Sequence, residues 1–300
     1  MSDILNKGSL FPEELIPKLI NNVRGKSSLA ALCGASAVAF NGQKEFTFTF
    51  DREIDVVAES GAKSKGGVTV TPKTIIPIKV EYGARISDEF KYAATEVKMN
   101  YLEAFADGFA RKLARGLDLM ALHGVNPRAG TASAVIGNNH FDHDVSQTVT
   151  IPASNPPTAD ALMESAIALV QGSDRDATGA IFAPAFRSDL AALTLQSGAK
   201  MFPELAWGNA PGSINGLAVQ VNSTVSANSS KDRAIVGDFA NGFKWGYAKQ
   251  IPIEVIEYGN PDNDATMGDL KGHNQIYLRA EAYLGWCVLD PASFAIIKTA

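Results

Sequence analysis

The sequence contains little of what disulfide-rich proteins and membrane proteins require. Its 300 residues include two cysteines. Cys33 and Cys287 both lie among small or apolar residues, which predicts packed thiols rather than a disulfide or a metal site. No run approaches the ~18 apolar residues of a membrane span, and the N-terminal residues lack the basic and then apolar layout of a signal peptide. We therefore expect that the protein has no membrane partner and that it assembles in a reducing cytoplasm.

The sequence also has no large excess of charge of either sign, and it lacks the common catalytic motifs. The net charge of −5 and the pI near 5.5 provide no global cationic field for nucleic acid. Gly25-Lys26-Ser27 resembles the end of a phosphate loop, but Ile20 stands where that motif needs glycine. The sequence contains neither G-x-G-x-x-G nor G-x-S-x-G, and no catalytic triad can be assigned. We therefore expect no enzymatic activity and no cofactor.

Two segments contain residue types that bind metals. Residues 139–144 combine histidines and aspartates, but they lack a helical i, i+4 pair, which favours a solvated loop over a metal site. Asp262-Asn263-Asp264 lacks the glycine and glutamate spacing of a calcium loop. The sequence therefore predicts no metal site.

A long β-hairpin is predicted for residues 44–82. Phenylalanines alternate with threonines in its first arm, and a basic, glycine-rich tip at residues 60–67 separates the two arms. Each arm has about a dozen residues, so at ~3.3 Å per residue the hairpin could extend roughly 40 Å. The apolar positions of the arms are Phe46, Phe48, Phe50, Ile54, Val56, Val57, Val68, Val70, Ile75, Ile76, Ile78 and Val80.

This hairpin either folds back on its own domain or reaches over an adjacent subunit. A two-stranded hairpin alone is marginally stable in water, and its open edges would aggregate unless they were covered. Pro72 and Pro77 remove backbone donors, which suits an edge strand. We favour a hairpin that covers a neighbouring copy of the chain.

A long helix is predicted at residues 87–123. Ser87 is a suitable N-cap, acidic residues follow in the first turn, and Gly124 ends the helix. It would span roughly 50 Å at 1.5 Å per residue, and its apolar steps match a straight helix better than the alternative, a coiled coil. The apolar stripe is Phe90, Ala94, Val97, Tyr101, Phe105, Phe109, Leu113, Leu117 and Met120, and the charged face includes Arg111, Lys112, Arg115 and Asp118.

Short segments in a fixed order resemble the major capsid proteins of tailed bacteriophages. Each segment alone is a weak signal, but the ordered set covers almost the whole chain and is specific. The segments are Leu10-Phe11-Pro12-Glu13-Glu14-Leu15, Ala58-Glu59-Ser60-Gly61-Ala62-Lys63-Ser64, Ser87-Asp88-Glu89-Phe90, Gly116-Leu117-Asp118-Leu119-Met120-Ala121-Leu122-His123-Gly124, Ala234-Ile235-Val236-Gly237-Asp238-Phe239, Leu278-Arg279-Ala280-Glu281-Ala282 and Asp290-Pro291-Ala292-Ser293-Phe294.

The resemblance implies an α+β chain with the Hong Kong-97-type capsid fold. Four parts are expected. They are an N-terminal arm at 1–43, an extended β-hairpin loop at 44–82, a peripheral domain at 83–154 plus 260–300 that includes the long spine helix at 87–123, and an axial domain at 155–259. Some family members begin with a scaffolding segment that a protease removes. Here the arm begins at once, so we expect a separate or already cleaved scaffold.

The implied function is that of a structural virion protein that self-assembles into pentamers and hexamers of an icosahedral shell. Assembly is expected in the bacterial host cytoplasm. The expected partners are other copies of the chain, scaffold, portal and decoration proteins, and packaged double-stranded DNA in weak non-specific contact. An encapsulin-like protein nanocompartment and a gene transfer agent shell remain open as alternatives. A different class, an α/β enzyme at residues 155–260, offers no convergent titratable residues.

Three surfaces are expected to contact neighbouring subunits. They are the phenylalanine face and tip of the hairpin, the loop at 198–216 near the local symmetry axis, and the arm. We favour charge pairing for the tip lysines over Lys–Asn isopeptide crosslinks, which some related capsids form. The candidate residues are Arg24, Phe46, Phe48, Phe50, Glu59, Lys63, Lys65, Met201, Phe202 and Trp207.

Overall fold

A computed structural model describes residues 27–92, 95–228 and 230–300 of the chain. Residues 11–20, whose sequence favours a short amphipathic helix, and the candidate residue Arg24 lie outside the described residues. The α-helices are α1 (Ser28–Leu32), α2 (Thr95–His123), α3 (Phe141–Asp144), α4 (Ala159–Gln171) and α5 (Pro184–Ala192). The strands are β1 (Gln43–Phe50), β2 (Val68–Ile75), β3 (Ile78–Ser87), β4 (Val125–Asn126), β5 (Thr131–Ala132), β6 (Thr148–Ile151), β7 (Gly179–Phe182), β8 (Ser213–Ile214), β9 (Leu217–Val221), β10 (Asp232–Gly237), β11 (Phe243–Ile256), β12 (Gln275–Val288) and β13 (Phe294–Thr299).

The structure contains the predicted hairpin, but its paired strands are shorter than the sequence pattern predicted. β1 pairs antiparallel with β2 along its whole length, and residues 51–67 connect them without strand structure. The predicted second arm is split, because β3 pairs with β12 instead of continuing the hairpin. Pro77 stands between β2 and β3, and its missing backbone N–H cannot contribute to a ladder. The chain changes sheets at this point.

A three-stranded sheet in the order β11-β12-β3 forms the support for the hairpin. The sequence pattern favours separate strands at residues 274–282 and 284–289, but the structure has one continuous strand there, β12, because β11 and β3 pair with it on its two sides. The pattern likewise favours two strands at residues 243–248 and 252–256, where the structure has the single strand β11 with irregular register. The segment before the hairpin lies along β11, where Ser36 donates its backbone N–H to the Trp245 carbonyl at 2.9 Å.

The long helix begins later than predicted, because residues Asp88–Tyr92 form a 3₁₀ turn and α2 begins at Thr95. It ends at His123 as predicted, and Gly124 follows with a φ of +64°, a conformation that glycine adopts without strain. α2 packs against α1, α3 and β12. Its last turns are enclosed on every side, since each residue from 116 to 125 is buried. The predicted charged face therefore does not extend to Asp118.

A second sheet has the order β6-β13-β10-β7-β9-β8, and α4 packs against it. Thr158 caps α4 by accepting the Ala161 N–H at 3.3 Å. The sequence pattern favours a turn or short helix at residues 291–294 and does not reveal the terminal strand β13. It pairs antiparallel with β10 and parallel with β6. The predicted boundary at 259 thus separates paired strands, and the four-part division stays a prediction.

Two large apolar cores and a small third cluster of Val38, Ile75 and Cys287 lie in the part of the chain that the structure describes. One large core lies between α2 and the three-stranded sheet, and the other lies between the six-stranded sheet and the helices α4 and α5. Cys33 and Cys287 are buried and unpaired, which confirms that they are packed thiols, and burial raises the pKa of each to about 11. Among the described residues, no helix combines the length and the apolarity that a membrane crossing needs.

Candidate functional site

The hairpin carries a row of exposed phenylalanines on one face. The side chains of Phe46, Phe48 and Phe50 are 64%, 61% and 69% exposed. The strand register places Val70 opposite Phe48 and Val68 opposite Phe50, and residues that lie opposite each other in an antiparallel pair share a face. The rings of Phe48 and Phe50 are in edge contact, with centroids 5.3 Å apart. These five side chains form one apolar patch, which we call the phenylalanine face.

The opposite face of the hairpin is polar. It carries threonines from both strands, and the Thr47 hydroxyl donates to the Thr71 carbonyl at 3.2 Å. The hairpin is therefore amphipathic, and among the described residues none covers the phenylalanine face. Contiguous exposed apolar patches of this kind mark interaction sites in soluble proteins. The facing predicted for Phe46, Phe48 and Phe50 is the one observed.

The base of the hairpin is fixed to the subunit. Ile75, the last residue of β2, is fully buried, and Glu45 of β1 forms an ion pair with Lys244 of β11. A Cβ on Gly285 would lie 2.8 Å from the Ile75 Cγ2, so only glycine lets the hairpin and β12 approach this closely. The hairpin thus leaves the body in a defined direction while its outer residues stay exposed.

The hairpin tip presents its charged residues to solvent. Asp51 closes the tip by accepting the Gly67 N–H on Oδ1 at 2.7 Å. Glu59, Lys63 and Lys65 are all exposed in the connection between the strands. Their side chains are thus accessible to an adjacent subunit, as charge pairing would require.

The loop predicted to lie near a symmetry axis has two exposed candidates and one buried one. Met201 is 40% exposed, and Trp207 is fully exposed at a positive φ of 57°. Phe202 requires a correction, because it is 7% exposed and belongs to the chain's own core. An aromatic side chain this deeply packed anchors the loop and cannot present a contact surface. The Arg187 guanidinium also holds the loop by donating to the Leu205 carbonyl at 2.8 Å.

The basic residues predicted on the long helix are accessible. Arg111 and Lys112 are exposed on α2, whereas Arg115 donates to the Ser223 hydroxyl at 3.1 Å. Arg111 and Lys112 are adjacent, and together they make a small positive surface on the helix. That surface is compatible with weak phosphate contact, and equally with an ordinary solvated helix face.

The carboxyl group of Asp118 joins three segments, and the sequence analysis placed it wrongly on the charged face. It is fully buried and accepts the backbone N–H groups of Ser28 at 3.0 Å and Leu29 at 3.3 Å. It also accepts from the side chains of Asn222 at 2.8 Å and Thr224 at 3.2 Å. Burial raises the pKa of Asp118, while these hydrogen bonds act in the opposite direction.

This carboxyl group is where α1, which lies within the predicted arm, is attached to the long helix. The Ser27 hydroxyl, which caps α1, also contacts it. One sequence signal could have revealed the site. Asp118 is the lone charge in the apolar run from Leu117 to Leu122, and charged residues are rarely enclosed without partners.

Comparison with protein families gives one match across the chain. The model described as the phage capsid family matches residues 7–299. No curated protein matches the chain.

Solved structures from bacteriophages resemble the whole subunit. A chain from Mycobacterium phage Ogopogo is 31% identical, with 92% of each chain covered and a TM-score of 0.78. A chain from Gordonia phage Cozz is 24% identical, with 92% of this chain and 87% of that chain covered and a TM-score of 0.72. The capsid of a native GTA particle is 15% identical, with 91% and 90% covered and a TM-score of 0.63, which shows a shared fold alone. The predicted α+β, Hong Kong-97-type fold is confirmed.

Proposed function

The chain belongs to the phage capsid family, and we propose that it builds its shell by docking the phenylalanine face of the hairpin on a neighbouring copy. It is a major capsid protein, a structural subunit of an icosahedral bacteriophage shell. The observation that supports the docking proposal is the exposure of Phe46, Phe48 and Phe50 on one side of a firmly anchored hairpin. The occupant of that face is a second copy, because shell subunits assemble with themselves.

The apolar patch is large enough to matter energetically. Complete burial of a phenylalanine is worth about 1.5–3 kcal/mol. Since each of the three rings is roughly two-thirds exposed, covering one contributes about 1–2 kcal/mol, and covering all three contributes about 3–6 kcal/mol before the costs of association. Every subunit in a closed ring would make this contact once as donor and once as acceptor, so the contribution is repeated throughout the shell.

The other exposed candidates have roles in the same proposal. Lys63 and Lys65 at the tip pair with acidic groups on the adjacent subunit, where they set register and specificity more than affinity. Met201 and Trp207 lie near the local axis of pentamers and hexamers, where an exposed tryptophan would be covered by its symmetry copies. In this proposal the unit around α4 and α5 serves as the axial domain, and α2 with the three-stranded sheet serves as the peripheral domain.

A bacteriophage shell is assembled with other proteins and encloses DNA, and these are the remaining partners in the proposal. We propose that assembly takes place in the bacterial host cytoplasm, together with scaffold, portal and decoration proteins. The inner surface contacts packaged double-stranded DNA weakly, and Arg111 and Lys112 are the described candidates. Purified particles distinguish the alternatives. A phage genome supports this proposal, random host DNA fragments indicate a gene transfer agent shell, and protein cargo without DNA indicates an encapsulin-like compartment.

A pair of neighbouring substitutions tests the docking proposal. Phe48→Asp places a charge in the phenylalanine face, whereas Thr49→Asp places the same charge on the polar face one residue away. We expect Phe48→Asp to raise the protein concentration needed for shell assembly by at least about 100-fold, which corresponds to ~3 kcal/mol. Thr49→Asp should change it by less than about 10-fold.

Electron microscopy and sedimentation of the purified variants over a concentration series provide the measurement. Circular dichroism spectra must match the parent protein, so that lost assembly is not lost folding. Equal effects of the two substitutions would refute the assigned facing. Normal shells formed by Phe48→Asp at the parent's concentration would refute the docking proposal.

A further inference from the structure

A buried cluster away from the assembly surfaces brings together one histidine and two aspartates. His123 is the last residue of α2, Asp142 belongs to α3, and Asp232 begins β10. Their potential ligand atoms all lie within 4.8 Å of one another. His123 is 8% exposed and Asp232 is 1% exposed. These residues are distant in sequence, and residues 139–144 alone did not predict the site.

The ring of His123 is oriented by a backbone carbonyl. Its Nε2 lies 2.8 Å from the Thr224 carbonyl oxygen, which can only accept a hydrogen bond, so Nε2 carries a proton. The other nitrogen, Nδ1, lies 2.8 Å from Asp142 Oδ2 and 3.9 Å from Asp232 Oδ2. In the neutral ring, Nδ1 would direct a lone pair at these carboxylates, which also only accept. A positive centre must therefore lie between them.

Each of the two carboxylates has one oxygen without a hydrogen-bond donor. Asp142 Oδ1 and Asp232 Oδ2 are buried and accept no hydrogen bond from the residues that the structure describes. Lys298 lies 3.7 Å from the other oxygen of Asp232, Oδ1, and so compensates one side of that group only. Buried acceptors without a partner are costly.

We propose that this cluster binds a divalent transition-metal ion of the zinc class through His123 Nδ1 and the carboxylates of Asp142 and Asp232. Imidazole and carboxylate ligands at about 2.0–2.2 Å suit zinc, and a tetrahedral set of that size places ligand atoms about 3.4 Å apart. The separations from His123 Nδ1 to the two carboxylates, 2.8 Å and 3.9 Å, each lie within about 0.6 Å of this value, and the two carboxylates lie within 4.8 Å of each other.

The surroundings of His123 match those of a metal ligand. A ligating histidine usually donates its other ring N–H to a carbonyl or carboxylate, which fixes the tautomer that exposes the free nitrogen. The Thr224 carbonyl has this role here. Asp142 is 27% exposed at its side chain, so an ion has a route from solvent, and a water would be the fourth ligand. Nitrogen donation and the small number of oxygens disfavour calcium and magnesium.

The ion would be structural. It would join the end of the long helix to α3 and to β10 of the six-stranded sheet, so the two cores of the subunit would be linked at one point. A competing arrangement supplies the positive charge with protons, one on the His123 ring and one shared between the two carboxyl groups. The two arrangements differ in what is bound and in how the protein responds to metal.

The experiment uses the full chain, stripped with chelator and then titrated with Zn²⁺, with Mg²⁺ as a comparison. We expect about one Zn²⁺ per chain by elemental analysis after gel filtration, together with a melting temperature that rises with Zn²⁺ and not with Mg²⁺. Asp232→Asn and His123→Gln should lose both the bound zinc and the rise in melting temperature. The control His143→Gln changes an exposed residue that pairs with Asp144 at 3.1 Å, and it should keep both.

Co²⁺ titration of the unmodified chain gives a test that needs no variant to fold. A tetrahedral site with nitrogen and oxygen ligands produces visible absorption bands that saturate at one equivalent. No saturable band and no Zn²⁺ effect on melting would overturn the proposal and assign the positive charge to protons. The proposal would also be overturned if Asp232→Asn bound zinc as well as the parent, or if His143→Gln abolished binding.

Discussion

Replacing Asp118 with asparagine should loosen the attachment of α1 to the long helix. In the parent, Oδ1 accepts from the Ser27 hydroxyl and the Leu29 N–H, and Oδ2 accepts from the Ser28 N–H and from the side chains of Asn222 and Thr224. Asparagine exchanges one of these oxygens for an NH₂ group, which is itself a donor. At least one set of buried donors then loses its acceptor and faces another donor.

The size of the effect follows from that count. A buried donor left unsatisfied costs about 1–3 kcal/mol. Loss of two such bonds would give about 2–6 kcal/mol, and relief of the buried charge, whose burial raises the pKa of Asp118, offsets part of it. We therefore expect Asp118→Asn to lower the free energy of unfolding by about 2–4 kcal/mol. With ~2.1 cal/mol/K of unfolding entropy per residue, a chain of 300 residues should melt about 3–6 °C lower.

Urea unfolding of unassembled subunits measures the free energy, and hydrogen exchange reports the amides of Ser28 and Leu29 directly. At least one of the two amides should exchange faster in the variant, since Ser28 and Leu29 donate to different oxygens and asparagine keeps only one of them. Asp189→Asn is the control, because Asp189 is exposed on α5 and surface substitutions usually change stability by less than about 0.5 kcal/mol. A variant as stable as this control, with unchanged exchange at both amides, would refute the assigned role of Asp118.

Two further predictions concern packing and pH. Gly246→Ala should destabilise the subunit by about 3 kcal/mol or more, because a Cβ there would lie 1.6 Å from the Ser36 carbonyl oxygen. Gly108→Ala, which meets nothing within 4 Å, should stabilise α2 by about 1 kcal/mol in the same urea assay. Arg85 lowers the pKa of Asp262 to about 2 through its hydrogen bonds. Since this folded value lies below the unfolded ~3.9, the stabilisation is present above pH ~4 and is lost as pH falls toward 2. Proteolysis of the surrounding loop should therefore accelerate over that interval, and Asp262→Asn should weaken the pH dependence, with Asp264 responsible for the remainder because the backbone N–H groups of Met267 and Thr266 lower its pKa.

The sequence predicted the hairpin well where its pattern was local. Strict alternation of phenylalanine and threonine placed Phe46, Phe48 and Phe50 on one face, and the structure has that facing. The prediction was wrong about where each strand ends, because apolar residues such as Ile54 continue beyond the paired region. A strand ends where its partner backbone ends, and that depends on the pairing of β3 with β12.

The candidate surface was predictable in part for the same reason. Met201 and Trp207 are exposed as expected, whereas Phe202 is enclosed by the core beneath its loop. All three belong to one apolar loop, and their sequence contexts do not differ in a way that separates them. The distinction comes from the packing of the loop against α5, which no periodicity in an irregular loop encodes.

The residues alone determined the family resemblance, the long helix with its end at Gly124, and the amphipathic hairpin. Each depends on residues that are close together in the sequence, because helix and strand periodicity and backbone conformational preferences act over a few positions. Only the tertiary structure decided where Asp118, His123, Asp142 and Asp232 lie. A carboxylate on a helix looks the same in sequence whether water or a distant segment supplies its hydrogen-bond donors, and here the donors come from residues about 90–110 positions away along the chain.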